Sequence, residues 1–547
     1  MGSWFDTHEV TNQPPPLIDH DVFSTDAALL EATTRCGAAE ALGELGELGR
    51  LAGTAEAQQW GRDANANPPV LRTHDRYGNR LDVVDYHPHY HRLMATAVAN
   101  RLHAGAWADT RPAAHVIRAA KMITWYQVDA GHTCPISMTY SVVPALRHQP
   151  EIAEALTGRL TSDVYDPSDR PIEDKAGITC GMAMTEKQGG SDVRANATVA
   201  KPSGDGDHLL TGHKWFCSAP MSDGFLVLAQ APGGLTCFFT SRWRPDGTRN
   251  PIRIQRLKDK LGDRSNASSE IEFLDTWATM VGEEGRGVRT IIEMVNHTRL
   301  DCALGSTAIM RQGVAQATWH THHRSAFGLE LDRQPLMTAV LADLCIESEA
   351  STVAVMRLAE TFDSGLVGGD EHERLLNRLL VPVVKYWTCK RAPVHAAEAL
   401  ECLGGVGYVE ESDMPMLFRQ SPLNGVWEGS GNVICLDVLR AIASEPLCLE
   451  AFFDELERSA GADDRLDTAS AALRDTFTRP EDLEGNARRV VEQMALAFQG
   501  SLLVRHAPEP VSDAFCASRL DGHWGAALGT VAPSPALAGI VDRHRPG

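Results

Sequence analysis

The sequence predicts an α+β fold that is mainly α, with a β module set between helical regions. Three observations lead there. Apolar positions recur at helical spacing from Ser24 to about residue 165, short β-branched and aromatic runs broken by Gly and Pro then take over, and long helical patterns return after Gly282-Glu-Glu-Gly-Arg-Gly287. At 547 residues the chain exceeds one hydrophobic core, and 43% hydrophobic with 22% charged residues is ordinary for a globular protein.

Residues 1–22 read as an extended arm, because Asn12-Gln-Pro-Pro-Pro-Leu17 removes amide donors and fixes φ near polyproline values. The arm covers either another subunit or its own domain. Residues 23–168 read as an N-terminal helical domain, all-α, with Ser24 or Thr25 as first N-cap and helices across 91–103, 113–130 and 137–146. Asp85-Tyr-His-Pro-His-Tyr-His-Arg92 is rich in imidazole, but Pro88 breaks helical ligand spacing and no acidic or cysteine partners cluster nearby, so no metal site is expected.

Residues 169–285 read as a compact β domain. Its signals are the Ser203-Gly-Asp-Gly-Asp207 turn, the runs Phe225–Gln230 and Thr236–Thr240 parted by Pro232-Gly-Gly234, and strand texture at Ile252–Leu257 and Ser269–Phe273. Residues 286–440 read as a helical bundle, with patterns over 288–326, 336–363 and 371–403. Residues 441–547 form an additional, mainly helical domain with a helix start at Arg479-Pro-Glu-Asp482 and a Pro/Gly-rich tail after Gly529.

A formal charge of −21 argues against nucleic-acid binding by the chain as a whole. Twelve cysteines without a C-x-x-C pair read as buried thiols of a reducing compartment, the cytoplasm, and imply no zinc site. Met1–Pro16 has no basic segment followed by an apolar run, so no secretory signal is expected, and no run of about eighteen apolar residues suggests a membrane span.

Three stretches carry chemistry. Gly181-Met-Ala-Met-Thr-Glu-Lys-Gln-Gly-Gly-Ser-Asp192 joins an apolar entry, two hydroxyls and a glycine pair, where Gly189 and Gly190 allow close backbone approach or positive φ. Thr211-Gly-His-Lys-Trp-Phe-Cys-Ser218 sets aromatic rings beside a hydroxyl. Val426-Trp-Glu-Gly-Ser-Gly-Asn432 holds a carboxylate between an indole and a glycine turn, where desolvation raises a carboxyl pKa toward the range of a general base. Alone, the first is an ordinary surface turn and the second ordinary core packing.

In this order, and together with Arg256-Leu-Lys-Asp-Lys-Leu-Gly262, Arg264-Ser-Asn-Ala267 and Leu403-Gly-Gly-Val-Gly-Tyr-Val-Glu-Glu-Ser412, these stretches resemble the acyl-CoA dehydrogenase family and its AidB-like alkylation-response flavoprotein branch, over almost the whole chain. The resemblance implies a helical domain, a central β barrel, a helical bundle and an added C-terminal helical domain, with FAD between barrel and bundle. It puts Met182, Met184, Thr185, Gly190, Ser191, Phe216 and Ser218 at the flavin, with Trp427, Ser430 and Asn432 also on the cofactor. Arg324, Phe327 and Gln334 match the segment that reaches a neighbouring subunit's FAD in a homotetramer, with one residue fewer before Gln334 than is usual.

Glu428 stands where the family carries the base that removes the substrate α-proton, and Thr298 stands before Arg299 where some relatives place that base instead. The family's chemistry implies α,β-dehydrogenation of a short or branched acyl-CoA or a related small substrate, assisted by the Glu428 amide at the thioester carbonyl. Trp427 replaces the usual Tyr and Glu401 the usual Gln, and the bulkier indole narrows the acyl site. The branch implies, as the alternative, a flavoprotein that binds double-stranded DNA and protects against alkylation, with weak or no turnover. Arg440, Arg488, Arg489 and Arg505 are the candidate DNA contacts, although from residue 441 onward seventeen acidic residues face ten arginines and no lysine. Gly404-Gly-Val-Gly407 lacks nucleotide-fold spacing, and His320-Thr-His-His323 reads as a polar helix end.

Overall fold

The structure, a computed structural model, describes residues 7–204, 206–479, 481 and 483–547. The arm lies along its own chain, on both the first helical domain and the bundle: Asp19 N–H donates to the Gly53 carbonyl at 2.7 Å, and Trp319 Nε1 donates to the Pro15 carbonyl at 2.8 Å. Gly53 permits this approach, since a Cβ there would fall 1.8 Å from the His20 carbonyl oxygen.

Helices α1 (Ala27–Thr33), α2 (Leu42–Ala52), α3 (Ala55–Ala66), α4 (Pro88–Ala99), α5 (Ala114–Tyr126), α6 (Thr133–Leu146) and α7 (Pro150–Leu160) build the first domain. The cap of α1 is Asp26 rather than Ser24 or Thr25, its carboxylate accepting from Leu29 N–H at 3.1 Å. The all-α expectation fails at a hairpin, β1 (Val70–His74) with β2 (Arg80–Asp85). Asp75 closes its turn by accepting from the amides of Tyr77 and Asn79, both at 2.8 Å, and Gly78 takes φ 85°. The hairpin leans on the barrel, where Asp82 accepts from Ile254 N–H at 2.8 Å.

The barrel strands are β3 (Cys180–Ala183), β4 (Val199–Gly204), β5 (Asp207–Ser218), β6 (Gly224–Ala231), β7 (Gly234–Ser241), β8 (Ile252–Leu257) and β9 (Ser268–Val281). The order β3-β6-β4-β5-β9-β7 closes through antiparallel pairing of β7 with β6, while β8 flanks β9. Phe225, Val227, Phe238, Ile254, Ile271 and Phe273 fill its interior.

Three long helices, α8 (Gly287–His323), α9 (Pro335–Thr361) and α10 (Glu371–Cys402), form the bundle. Helix α8 packs on α6, α9 and α10 and reaches β7, so it joins all three layers. Beyond it lie α11 (Gly405–Tyr408), α12 (Met414–Gln420), α13 (Gly431–Ser444), α14 (Leu447–Glu457), α15 (Asp464–Thr476), α16 (Leu483–His506), α17 (Glu509–Phe515) and α18 (Leu537–His544). The start expected at Arg479-Pro-Glu-Asp482 falls partly outside the described residues. The tail ends in α18, tied back by the buried His544–Glu349 contact at 2.8 Å.

Candidate active site

Three segments converge where α6, α8, α10 and the barrel meet. The first follows β3. Glu186 and Gly189 exchange backbone hydrogen bonds in a tight turn, and Thr185 fixes the loop to β5 by accepting from Trp215 N–H at 2.8 Å. Below it lies a fully buried ion pair, Lys214–Glu186 at 2.7 Å. Glu186 also accepts from Ala197 and Thr198 amides, and Lys214 also donates to the Leu228 carbonyl at 2.7 Å. Burial pulls Lys214 down to about 8, whereas its ammonium and these amides hold Glu186 at about 2 against the burial that opposes them.

Neither glycine has positive φ, and only Gly190 is needed for close approach: a Cβ there would fall 2.8 Å from Thr185 Oγ1, whereas one on Gly189 would meet nothing within 4 Å. Thr185, Met182 and Met184 are half-buried while Gly190 and Ser191 are exposed, so the loop presents hydroxyls and amides over an apolar floor. On β5, Phe216 is 49% exposed, and Ser218 Oγ lies 3.4 Å from Ser268 Oγ.

The third segment carries Glu428, whose φ of 56° lies in the left-handed region that costs a non-glycine residue roughly 1–3 kcal/mol. Four contacts hold it there. Thr298 Oγ1 donates to Glu428 Oε2 at 2.8 Å, Arg299 Nε donates to the Glu428 carbonyl at 3.0 Å, and Lys385 Nζ donates to the carbonyls of Trp427 at 3.1 Å and Gly429 at 2.6 Å. Burial pushes the Glu428 carboxyl above its ordinary 4.5, partly opposed by the Thr298 hydroxyl and the Arg299 and Lys385 charges. Trp427 Nε1 donates to Asn424 at 2.9 Å, and the indole borders the same apolar cluster as Met182 and Met184. Thr298, at the position before Arg299 where some relatives place the base, thus supports the Glu428 carboxylate through its hydroxyl.

Ser430 and Asn432 are exposed at the start of α13, where the Ser430 hydroxyl makes no capping bond. A Cβ on Gly431 would meet Arg488 Nη2 at 2.9 Å and Lys390 Cε at 3.0 Å, so Arg488 turns toward this loop. Arg440 and Arg489 are exposed. The Arg505 side chain is 13% exposed and binds buried Glu455 at 2.6 Å, beside Arg357.

Arg324, Phe327 and Gln334 lie apart from Glu428 in sequence and surround a second hairpin, β10 (Ser325–Ala326) with β11 (Leu329–Glu330). Phe327 at φ 52° and Gly328 at φ 86° make its turn, and Phe327 is 99% exposed. Gln334 braces the hairpin by donating to the Ala326 carbonyl at 2.9 Å, and Arg324 donates to the Asn12 carbonyl of the arm. The imidazoles near residue 88 have separate local roles: His87 caps α4, His89 meets Asp63 and His91 meets Tyr165. Clefts of about 210 and 440 Å³ open elsewhere, beside the first hairpin, and neither is lined by Glu428.

Sequence reasoning missed Glu186, Lys214 and Lys385. For the last a signal existed, a lone lysine in the apolar run Val381-Pro-Val-Val-Lys385-Tyr-Trp387.

Comparison with known proteins supplies a context for this geometry. Residues 12–167 match the adaptive response protein AidB N-terminal domain, residues 181–276 the acyl-CoA dehydrogenase middle domain, and residues 285–443 the acyl-CoA dehydrogenase C-terminal domain. The chain is 44% identical to AidB of Escherichia coli (strain K12) over 524 residues, covering 95% of this chain and 96% of that one. It is 29% identical to acyl-CoA dehydrogenase family member 11 of Caenorhabditis elegans over 83% of this chain and 79% of the relative. The crystal structure of Caenorhabditis elegans ACDH-11 in complex with C11-CoA superposes with a TM-score of 0.86 at 25% identity, covering 100% of this chain and 93% of that one.

Proposed function

The chain belongs to the acyl-CoA dehydrogenase family, in its AidB-like branch, and on that premise we propose that it is an FAD-dependent oxidoreductase that introduces an α,β double bond into an acyl-CoA, with Glu428 as the base. The observation that carries this reading is the Glu428 carboxylate itself, desolvated, held at φ 56° and bound by Thr298. Its raised pKa suits a group that must accept an α-proton near neutral pH.

The residues present fit a flavin with its diphosphate. Phe216 offers an exposed aromatic ring on β5, the strand to which the 185–191 loop is tied through Trp215, and the uncapped start of α13, with Arg488 and Lys390 beside Gly431, suits phosphate. Met182, Met184, Thr185, Gly190, Ser191, Phe216 and Ser218 would hold the ring system, and Trp427, Ser430 and Asn432 the rest. FAD, when bound, supplies the two-electron oxidation; the chain's own residues orient the acyl group, exclude water and take the α-proton at the Glu428 carboxylate. Trp427, fixed by Asn424, narrows the space beside that carboxylate, which favours short or branched acyl groups and slow turnover.

Exposed Phe327, Leu329 and Leu336 around the second hairpin support self-association into the homotetramer. Twelve unpaired, buried cysteines support a cytoplasmic setting. For double-stranded DNA, Arg505 is bound to Glu455 while Arg440, Arg488 and Arg489 are exposed, but acidic residues outnumber arginines seventeen to ten from residue 441 onward. The dehydrogenase reading is therefore the one preferred. It is tested by anaerobic mixing with a panel of short and branched acyl-CoAs, isovaleryl-CoA among them: wild-type flavin should bleach with at least one, and Glu428→Gln should bleach at least about a hundredfold more slowly. Equal rates would remove Glu428 as the base.

A further inference from the structure

Lys385 is 1% exposed and has no carboxylate within ion-pair distance among the described residues. Burying an ammonium without a counter-ion costs several kcal/mol, so such a group needs a compensating arrangement. Its two short contacts are carbonyls, and they are the carbonyls on either side of Glu428.

We propose that Lys385 is the positioning residue of this site: its ammonium grips the carbonyls of Trp427 and Gly429, holds Glu428 in its left-handed conformation, and polarises the peptide that carries the Glu428 N–H. This rests on Glu428 being the base. The Trp427 carbonyl and the Glu428 N–H are two ends of one amide, so a cation on the oxygen makes the N–H a stronger donor. That N–H has no acceptor among the described residues.

When the α C–H bond breaks, its proton goes to the Glu428 carboxylate and its electron pair to the thioester enolate. Negative charge then leaves the carboxylate for the carbonyl oxygen, and a fixed cation behind the amide favours that displacement. The other charged groups near Glu428 do not duplicate this role. Arg299, from α8, holds the Glu428 carbonyl but is neutralised by Asp437 at 2.6 Å. Thr298 is neutral, and Cys134 from α6 and Cys302 from α8 are thiols that burial keeps protonated.

The test uses the flavin-loaded protein with Lys385→Gln, which keeps one hydrogen bond without charge, Lys385→Met, which keeps neither, and Lys385→Arg. Infrared titration of the Glu428 carboxyl band, identified by its loss in Glu428→Gln, needs no acyl-CoA. The titration midpoint should rise in the Gln and Met variants and return toward wild type in the Arg variant. Exchange of the α-protons of the short or branched acyl-CoA that best bleaches the wild-type flavin, or of isovaleryl-CoA if none does, should fall in D2O on the order of tenfold to a hundredfold in the neutral variants and recover in Arg. An unmoved midpoint in a folded Lys385→Gln protein overturns the proposal, whether or not the wild type exchanges those protons; absent exchange in the wild type counts against the dehydrogenase reading instead. Should Lys385→Met fail to fold, Lys385→Gln decides.

Discussion

Replacing Lys214 by Met should unlock the 185–191 loop. The substitution keeps an aliphatic stem and removes the ammonium, leaving the Glu186 carboxylate buried with only amide donors. The depression of Glu186 from 4.5 to about 2 corresponds to about 3 kcal/mol of stability, present above its unfolded pKa and lost as pH falls from about 4.5 toward 2. Lowering Lys214 from 10.5 to about 8 costs a similar amount at neutral pH, relieved as pH rises from about 8 to 10.5. The intact pair is thus nearly neutral, whereas breaking it by removing one member costs about 3–5 kcal/mol.

The local reporter is the Trp215 amide, which donates to the Thr185 carbonyl at 2.8 Å. Its hydrogen exchange at pH 7 should accelerate on the order of several hundredfold in Lys214→Met. The difference from wild type should shrink as pH drops below about 4.5, and Glu186→Gln combined with Lys214→Met should recover much of the loss. Exchange within about threefold of wild type, or a double variant no better than the single, would refute the reasoning.

Three further outcomes are expected. Gly190→Ala places a Cβ 2.8 Å from Thr185 Oγ1; FAD affinity, followed by flavin fluorescence, should weaken about tenfold with an unchanged melting temperature, since the residue is exposed. Because α-proton abstraction needs the ionised Glu428, exchange of acyl-CoA α-protons should rise with pH through a midpoint above 4.5; a midpoint at or below that value would contradict the burial argument. Arg505→Ala should cost about 1–3 kcal/mol in calorimetry by stripping a cation from buried Glu455, and should leave any duplex DNA affinity unchanged.

Much of the fold was legible because long amphipathic and β-branched runs speak for themselves: the patterns at 288–326, 336–363 and 371–403 became α8, α9 and α10 with no end moved by more than three residues. The first hairpin was lost because its alternation, Val70-Leu-Arg-Thr-His74 against Arg80-Leu-Asp-Val-Val-Asp85, is short and embedded in helical sequence. The sequence offers φ or proximity for Gly189 and Gly190, and the coordinates choose proximity for Gly190 and neither for Gly189. The supporting groups were harder still. Lys385 and Thr298 lie 43 and 130 residues from Glu428, and a buried lysine bound to carbonyls leaves no local pattern. Arg505 shows the converse: an arginine is visible in sequence, its partner is not.

The arm has a temporal consequence. Asn12 exchanges hydrogen bonds at 2.8 Å with both backbone groups of Ser325, 313 residues away, beneath the hairpin that lifts Phe327 outward. Asn12 is therefore synthesised well before its partner, and the arm finds its seat only once α8 is complete. Any contact made through that tip follows synthesis of residue 325, so a nascent chain truncated before it would carry a loose strap and no exposed Phe327.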